Sequence, residues 1–119
     1  MKILAWNCRG LGNARAVRAL LDIHRQIKPD VMFLSETHLG KNKAEKLQRR
    51  MGFDQLIIDE SDGRSRGLLL MWRKEISVQK QGVTNNYIDV IINDETSWDI
   101  WRTELGSKGE NLGGYTYTP

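Results

Sequence analysis

The chain is poor in the residues that build covalent or metal-tied scaffolds. It holds one cysteine, Cys8, in 119 residues. No internal disulfide can form, and no multi-cysteine zinc site can be assembled. A single cysteine fits a reducing compartment, so the expected location is cytoplasmic or nuclear, not secreted. Histidine is also scarce, with His24 and His38 alone. Pro29 and Pro119 are the only prolines, which leaves most of the chain free to form helix or strand. No apolar run approaches the ~20 residues of a membrane span. Asn7 and Arg9 interrupt the only N-terminal stretch that a signal-peptide core could use.

What remains has the composition of a globular domain, 39% hydrophobic and 28% charged. The net charge of +3 is unevenly spread. Residues 1–60 hold 11 Lys or Arg against 7 Asp or Glu, and residues 61–119 hold 7 against 8. A basic N-terminal half suits a polyanionic partner, although a basic face is often no more than solvated.

The pattern predicts alternating strands and helices. Ile3–Trp6 is a continuous apolar run, as in a strand buried on both faces. Gly10 and Gly12 turn the chain, Asn13 suits an N-cap, and Val17, Leu20, Leu21 and Ile27 recur at helical spacing. A helix over 14–27 follows, stopped by Pro29. Val31–Leu34 is a second short strand, which makes a βαβ-like unit. Lys41–Met51 reads as a strongly basic helix with Gly52 just past its end. Strands are expected at Phe53–Ile58, Leu68–Trp72, Ile76–Gln79 and Tyr87–Ile92, with Thr84-Asn85-Asn86 as a turn and a weak last strand at Ser97–Trp101. The glycine-rich run after Leu105 reads as a tail. The expected division is therefore a domain over 1–104 and a flexible tail over 105–119.

Two of these strands end in polar clusters, Asn7-Cys8-Arg9-Gly10 and Ser35-Glu36-Thr37-His38. In α/β folds such ends meet on one rim of a sheet, where ligands bind. Glu36 then reads either as a metal ligand or as a solvated rim carboxylate, and Asn7 either as a phosphate- or metal-holding amide or as a turn cap. Cys8 reads as a small packed side chain, because nothing near it marks an activated thiolate. Arg9 and the basic helix, with Lys43, Lys46, Arg49 and Arg50 sharing much of one surface, read either as phosphate contacts or as solvated charge.

The segments Lys2–Gly10, Pro29–Thr37 and Gly67–Trp72, in that order, resemble the endonuclease/exonuclease/phosphatase superfamily. They look closest to the endonuclease domain that precedes the reverse transcriptase in plant LINE-type retrotransposon polyproteins. The resemblance runs from Met1 to about Asn93. It implies an α/β fold, the N-terminal half of a four-layer α/β sandwich, with one mixed β-sheet and two helices on one face. It implies Mg2+-assisted (or Mn2+-assisted) phosphodiester hydrolysis on DNA. The family's first-motif asparagine falls on Asn7 and its metal-binding glutamate on Glu36, as catalytic and metal-holding residues. Arg9, His38, Lys43, Lys46, Arg49 and Arg50 become the expected nucleic-acid contacts.

The resemblance also implies parts that this sequence does not contain. No aspartate has an asparagine two places on, and no aspartate precedes a histidine. A truncated DNA endonuclease-like domain with little or no activity is therefore the expectation, its metal weakly held. The alternatives are a non-catalytic nucleic-acid-binding remnant and a remnant with no selected function. With the second sheet expected from sequence beyond this chain, one face of the first sheet would be bare, favouring self-association.

Overall fold

The computed structural model describes residues 2–59, 67–83, 87–94, 100–106 and 111–117. The elements are β1 (Ile3–Asn7), α1 (Ala14–Ile27), β2 (Val31–Ser35), α2 (Lys41–Met51) and β3 (Gln55–Asp59), followed by β4 (Leu68–Trp72), β5 (Ile76–Val83), β6 (Tyr87–Asp94), β7 (Ile100–Gly106) and β8 (Asn111–Tyr117). The first sheet is mixed, in the order β1-β2-β4-β3. β1 and β2 run parallel, joined by the α1 crossover, whereas β4 is antiparallel to both β2 and β3. The expected mixed sheet carrying two helices on one face is present.

Local chemistry sets the helix ends. The Asn13 side-chain oxygen accepts from the Ala16 amide at 2.8 Å, satisfying one of the unpaired donors at the start of α1. The helix closes on Lys28 at φ 51°, whose amide donates to the His24 carbonyl. α2 closes on Gly52 at φ 78°, a conformation that costs glycine nothing. The Phe53 ring then meets the His24 ring edge-on at 5.3 Å, which ties the ends of the two helices together.

Period-two alternation sorts the strand residues between two cores. Met32, Leu34, Leu69 and Met71 face the helices and pack with Leu20, Ala44, Leu47, Met51 and Phe53. Val31, Phe33, Leu68, Leu70 and Trp72 face the other way.

That second face is not bare, which corrects the expectation drawn from the resemblance. β5, β6, β7 and β8 form an antiparallel second sheet within this same chain. Ile76, Ile88, Val90 and Ile92 pack from it onto the first sheet. Ile88, Val90 and Ile92 alternate along β6, so one face of that strand supplies a continuous apolar strip. Both sides of the first sheet are therefore buried, and Val31, Phe33 and Leu70 are 0% exposed. Self-association through an uncovered face loses its premise. Among the described residues Ile27 is the only large exposed apolar side chain.

The last strands differ from the sequence pattern. β5 and β6 run on to Val83 and Asp94, and β7 begins at Ile100. Within the stretch read as a tail, Asn111–Tyr117 pairs with β7, Arg102 standing opposite Tyr115 and Thr103 opposite Gly114. The expected turn at 84–86, residues 97–99 of the expected weak last strand, and tail residues 107–110 and 118–119 lie outside the described residues.

Candidate functional site

The carboxyl ends of β1 and β2 lie side by side. Asn7 stands opposite Ser35 in the parallel register. Hydrogen bonding continues past the strands: the Cys8 amide donates to the Ser35 carbonyl at 2.9 Å, Gly10 to Glu36 at 2.7 Å, and Leu11 to Thr37 at 2.9 Å. The Thr37 amide donates to the Gly67 carbonyl at 3.2 Å, which brings in the start of β4.

This rim holds most of the unusual backbone among the described residues. Arg9, Glu36 and His38 have φ of 51°, 52° and 55°, and Gly10 and Gly67 are also left-handed. A non-glycine residue held there costs on the order of 1–3 kcal/mol, and such strain concentrates at functional sites. The cross-loop hydrogen bonds supply the restraint that keeps it.

The side chains follow from that backbone. The Asn7 carbonyl oxygen accepts from the Arg9 amide at 3.1 Å. The turn cap that the sequence allows is thus formed, and it leaves the amide NH2 of Asn7 to donate elsewhere. Glu36 is half-buried, and Arg9 and His38 are exposed. A carbon on Gly10 would lie 3.8 Å from His38 Cδ2, so the imidazole leans over the first loop. Burial, and secondarily the Glu36 charge, push the Cys8 thiol up to about 12.

One polar group at this rim carries no assignment from the sequence. Ser35 is fully buried, and its hydroxyl has no hydrogen-bond partner among the described residues. It lies beside Asn7 on the same face of the sheet, at the seam between the two sheets. A serine closing an apolar strand carries no motif, so only the register reveals it.

Two helix N-termini face the rim. The crossover topology puts the N-termini of α1 and α2 at this end of the sheet, and neither first turn contains an acidic residue. Gly40 caps α2 without a side-chain bond, leaving helix-dipole charge uncompensated. Beside the rim runs a groove of about 200 Å³ between the helices. Lys43, Lys46 and Arg50 line it, whereas Arg49 does not. The basic residues grouped by the sequence are thus divided.

Residues 4–107 match the Endonuclease/Exonuclease/phosphatase family. The chain belongs to that family. Among solved structures, the human Nocturnin catalytic domain with bound sulfate anion is similar at 15% identity and a TM-score of 0.54, covering 93% of this chain and 46% of that one. TDP2 from Caenorhabditis elegans is similar at 18% identity and a TM-score of 0.48, covering 93% and 32%. The chain thus spans less than half the length of either. The likeness to Nocturnin supports the shared fold. A comparison with curated protein sequences found no match.

Enzymes of this family generally use divalent metals such as Mg2+. The donor set at the rim is compatible with such an ion but sparse. Glu36 offers one carboxylate, a hard oxygen donor, and Asn7 only the second lone pair of an amide oxygen that already accepts from the Arg9 amide; Mg2+ often takes only one or two carboxylates, with water and phosphate completing its shell. No group of three or more His, Cys, Asp or Glu that could hold a metal occurs among the described residues.

The half-buried thiol responds first to its burial and secondarily to the Glu36 charge. Cys8 in the folded family member should resist alkylation at pH 8, reacting on the order of a thousandfold more slowly than the unfolded chain, because almost none of it is thiolate. Glu36→Gln removes the charge that helps to raise it and should speed the reaction. An unchanged rate in that variant would separate the two residues.

Proposed function

We propose that this chain carries the cation- and phosphate-holding half of a Mg2+-assisted phosphodiesterase site that acts on DNA. The observation that carries the reading is the strained, hydrogen-bonded rim that sets Asn7 and Glu36 at adjacent strand ends. Glu36 would hold Mg2+ (or Mn2+) through its carboxylate. That ion would supply charge stabilisation for the phosphoryl and leaving oxygens. Asn7, its carbonyl oxygen engaged by the Arg9 amide, presents NH2 donors to a phosphate oxygen. Ser35, with its unspent hydroxyl, lies next to it. Arg9 and His38 stand exposed on the same loops and contact the flanking phosphates. A bound sulfate in the Nocturnin catalytic domain is in keeping with an anion site on this fold.

The reading also assigns weak activity. The motifs expected to supply a general base and further transition-state contacts, Asp-x-Asn and Asp-His, do not occur in this sequence. Loss of base catalysis alone commonly costs ~10²–10⁴-fold. With one carboxylate at the rim, the ion is held loosely. The order and wording of the three motifs support a LINE-type retrotransposon origin. A DNA substrate supports work in the nucleus, or in the cytoplasm where such elements are translated.

Two measurements test this. Mg2+ should raise the thermal midpoint of the chain, and Glu36→Gln should abolish that shift. In a supercoiled-plasmid assay the chain should nick slowly with Mg2+, and Glu36→Gln should remove the residual nicking. Nicking that survives in Glu36→Gln would refute the assignment.

The unpaired cations favour a second reading, a nucleic-acid-binding remnant without catalysis. Lys43, Lys46, Arg49 and Arg50 make no ion pair among the described residues. Its mark is Mg2+-independent binding that weakens steeply with salt.

A further inference from the structure

The groove beside the rim has an aliphatic floor as well as a cationic wall. Leu11, Val17, Leu39 and Leu47 form the floor. Leu11 and Leu47 are buried, whereas Val17 and Leu39 pack on the core with one side and stay half-exposed on the other. Lys43, Lys46 and Arg50 stand at i, i+3 and i+7 along α2, one stripe about 10 Å long. All three are exposed, and no acidic group among the described residues pairs with them.

The groove is continuous with the rim through the backbone. Leu11 directly follows Gly10, and Leu39 directly follows His38. The Leu11 amide donates to the Thr37 carbonyl, and the Leu39 amide donates to the Thr37 hydroxyl at 3.3 Å. One path therefore leads from the Asn7–Glu36 rim, past two helix N-termini without acidic residues, to an apolar floor flanked by three cations.

We infer that this groove receives an unpaired nucleotide of the same strand whose phosphate lies at the rim, its base flat on the aliphatic floor and its backbone on Lys43, Lys46 and Arg50. The inference rests on the reading of the rim as a phosphodiester site and adds a substrate class to it: single-stranded or locally opened DNA. Charge complementarity selects a polyanion. The floor selects a polyanion with an apolar face that can leave the stack, because duplex DNA presents its phosphates but keeps its bases paired. Bases taken out of the stack are commonly held between aromatic or apolar side chains. Residence on Leu11, Val17 and Leu39 follows the same principle without an aromatic ring.

The test is fluorescence anisotropy on the full chain in EDTA, with a short labelled oligothymidylate, an abasic oligomer of the same length, and a duplex. Oligothymidylate should bind about fivefold to tenfold more tightly than the abasic strand. Val17→Asn, which places a polar group on the floor without emptying the core, should erase most of that difference, with circular dichroism verifying the fold. Lys46→Ala should weaken both single strands alike. Reversing the charge at Lys43, Lys46 and Arg50 together should remove about 2 from the slope of log affinity against log salt.

Equal affinity for the base-bearing and abasic strands would overturn the inference, as would an unaffected difference in Val17→Asn. Binding of a labelled acidic amphipathic peptide by a chain that binds no oligonucleotide would overturn it in favour of a protein partner. Because binding is read in EDTA, the two proposals fail separately. Base-dependent binding without Mg2+-dependent nicking sinks the rim reading alone, and nicking without base dependence sinks the groove alone.

Discussion

Gly67→Val should destabilise the protein by about 3 kcal/mol or more, measured as the loss of unfolding free energy in urea. Two costs add. Gly67 sits at φ 61°, where a β-branched residue is strained by roughly 1–3 kcal/mol. A β-carbon there would also run into the Thr37 side-chain oxygen and crowd the His38 amide nitrogen at 3.2 Å. Neither neighbour has room to move. Thr37 is fully buried, its hydroxyl accepts from the Leu39 amide, and its own amide donates to the Gly67 carbonyl. A double variant with Thr37→Ala should recover part of the loss, because it removes the nearest obstacle but not the backbone strain. A Gly67→Val chain with the parent's midpoint would mean that β4 does not approach the rim this closely.

Phe33→Ala should cost about 3–5 kcal/mol, the range for deleting a buried aromatic side chain and leaving a cavity. The ring is 0% exposed and belongs to the core that Ile88, Val90 and Ile92 complete from the second sheet. The variant therefore measures whether β6 covers the first sheet. If that face were open to solvent, the ring would already be wet and the loss would fall below about 1.5 kcal/mol. Thermal or denaturant unfolding decides between these values. Ile27→Ala, at a position 38% exposed, serves as the control and should move stability by less than about 0.5 kcal/mol.

The elements easiest to read were those whose own residues carry the signal. α1 runs from Ala14 to Ile27 and α2 from Lys41 to Met51, because Asn13, Pro29 and Gly52 punctuate them locally. β4 is bounded at Leu68–Trp72 by Gly67 on one side and Arg73-Lys74 on the other. β8 was unreadable for the opposite reason. Its first half, Asn111-Leu112-Gly113-Gly114, has neither alternation nor β-branched residues, and the strand-favouring Tyr115-Thr116-Tyr117 is too short to declare a strand without its pairing to β7. The apolar strip of β6, Ile88, Val90 and Ile92, is visible in the sequence, but which sheet face it covers depends on contacts distant along the chain.

At the site, residue type pointed to Asn7 and Glu36, but geometry could not be read from type. Nothing in an arginine, a glutamate or a histidine announces a left-handed backbone, since that conformation is imposed by hydrogen bonds between loops distant in sequence. The Ser35 hydroxyl becomes conspicuous only when its burial and lack of a partner are known together. The basic residues of α2 read as one patch, and the fold divides them according to which side of the helix meets Val17 and Leu39.

The bonds from Cys8, Gly10 and Leu11 to Ser35, Glu36 and Thr37 make the two rim loops behave as an extension of the parallel ladder. Their lengths are coupled. A residue inserted between Asn7 and Cys8 would throw all three pairings out of step at once, and one inserted between Cys8 and Gly10 would still break the bonds to Glu36 and Thr37. Change in chain length is therefore barred from this corner, and related sequences that keep the rim should lengthen or shorten elsewhere, between β3 and β4 or beyond β6.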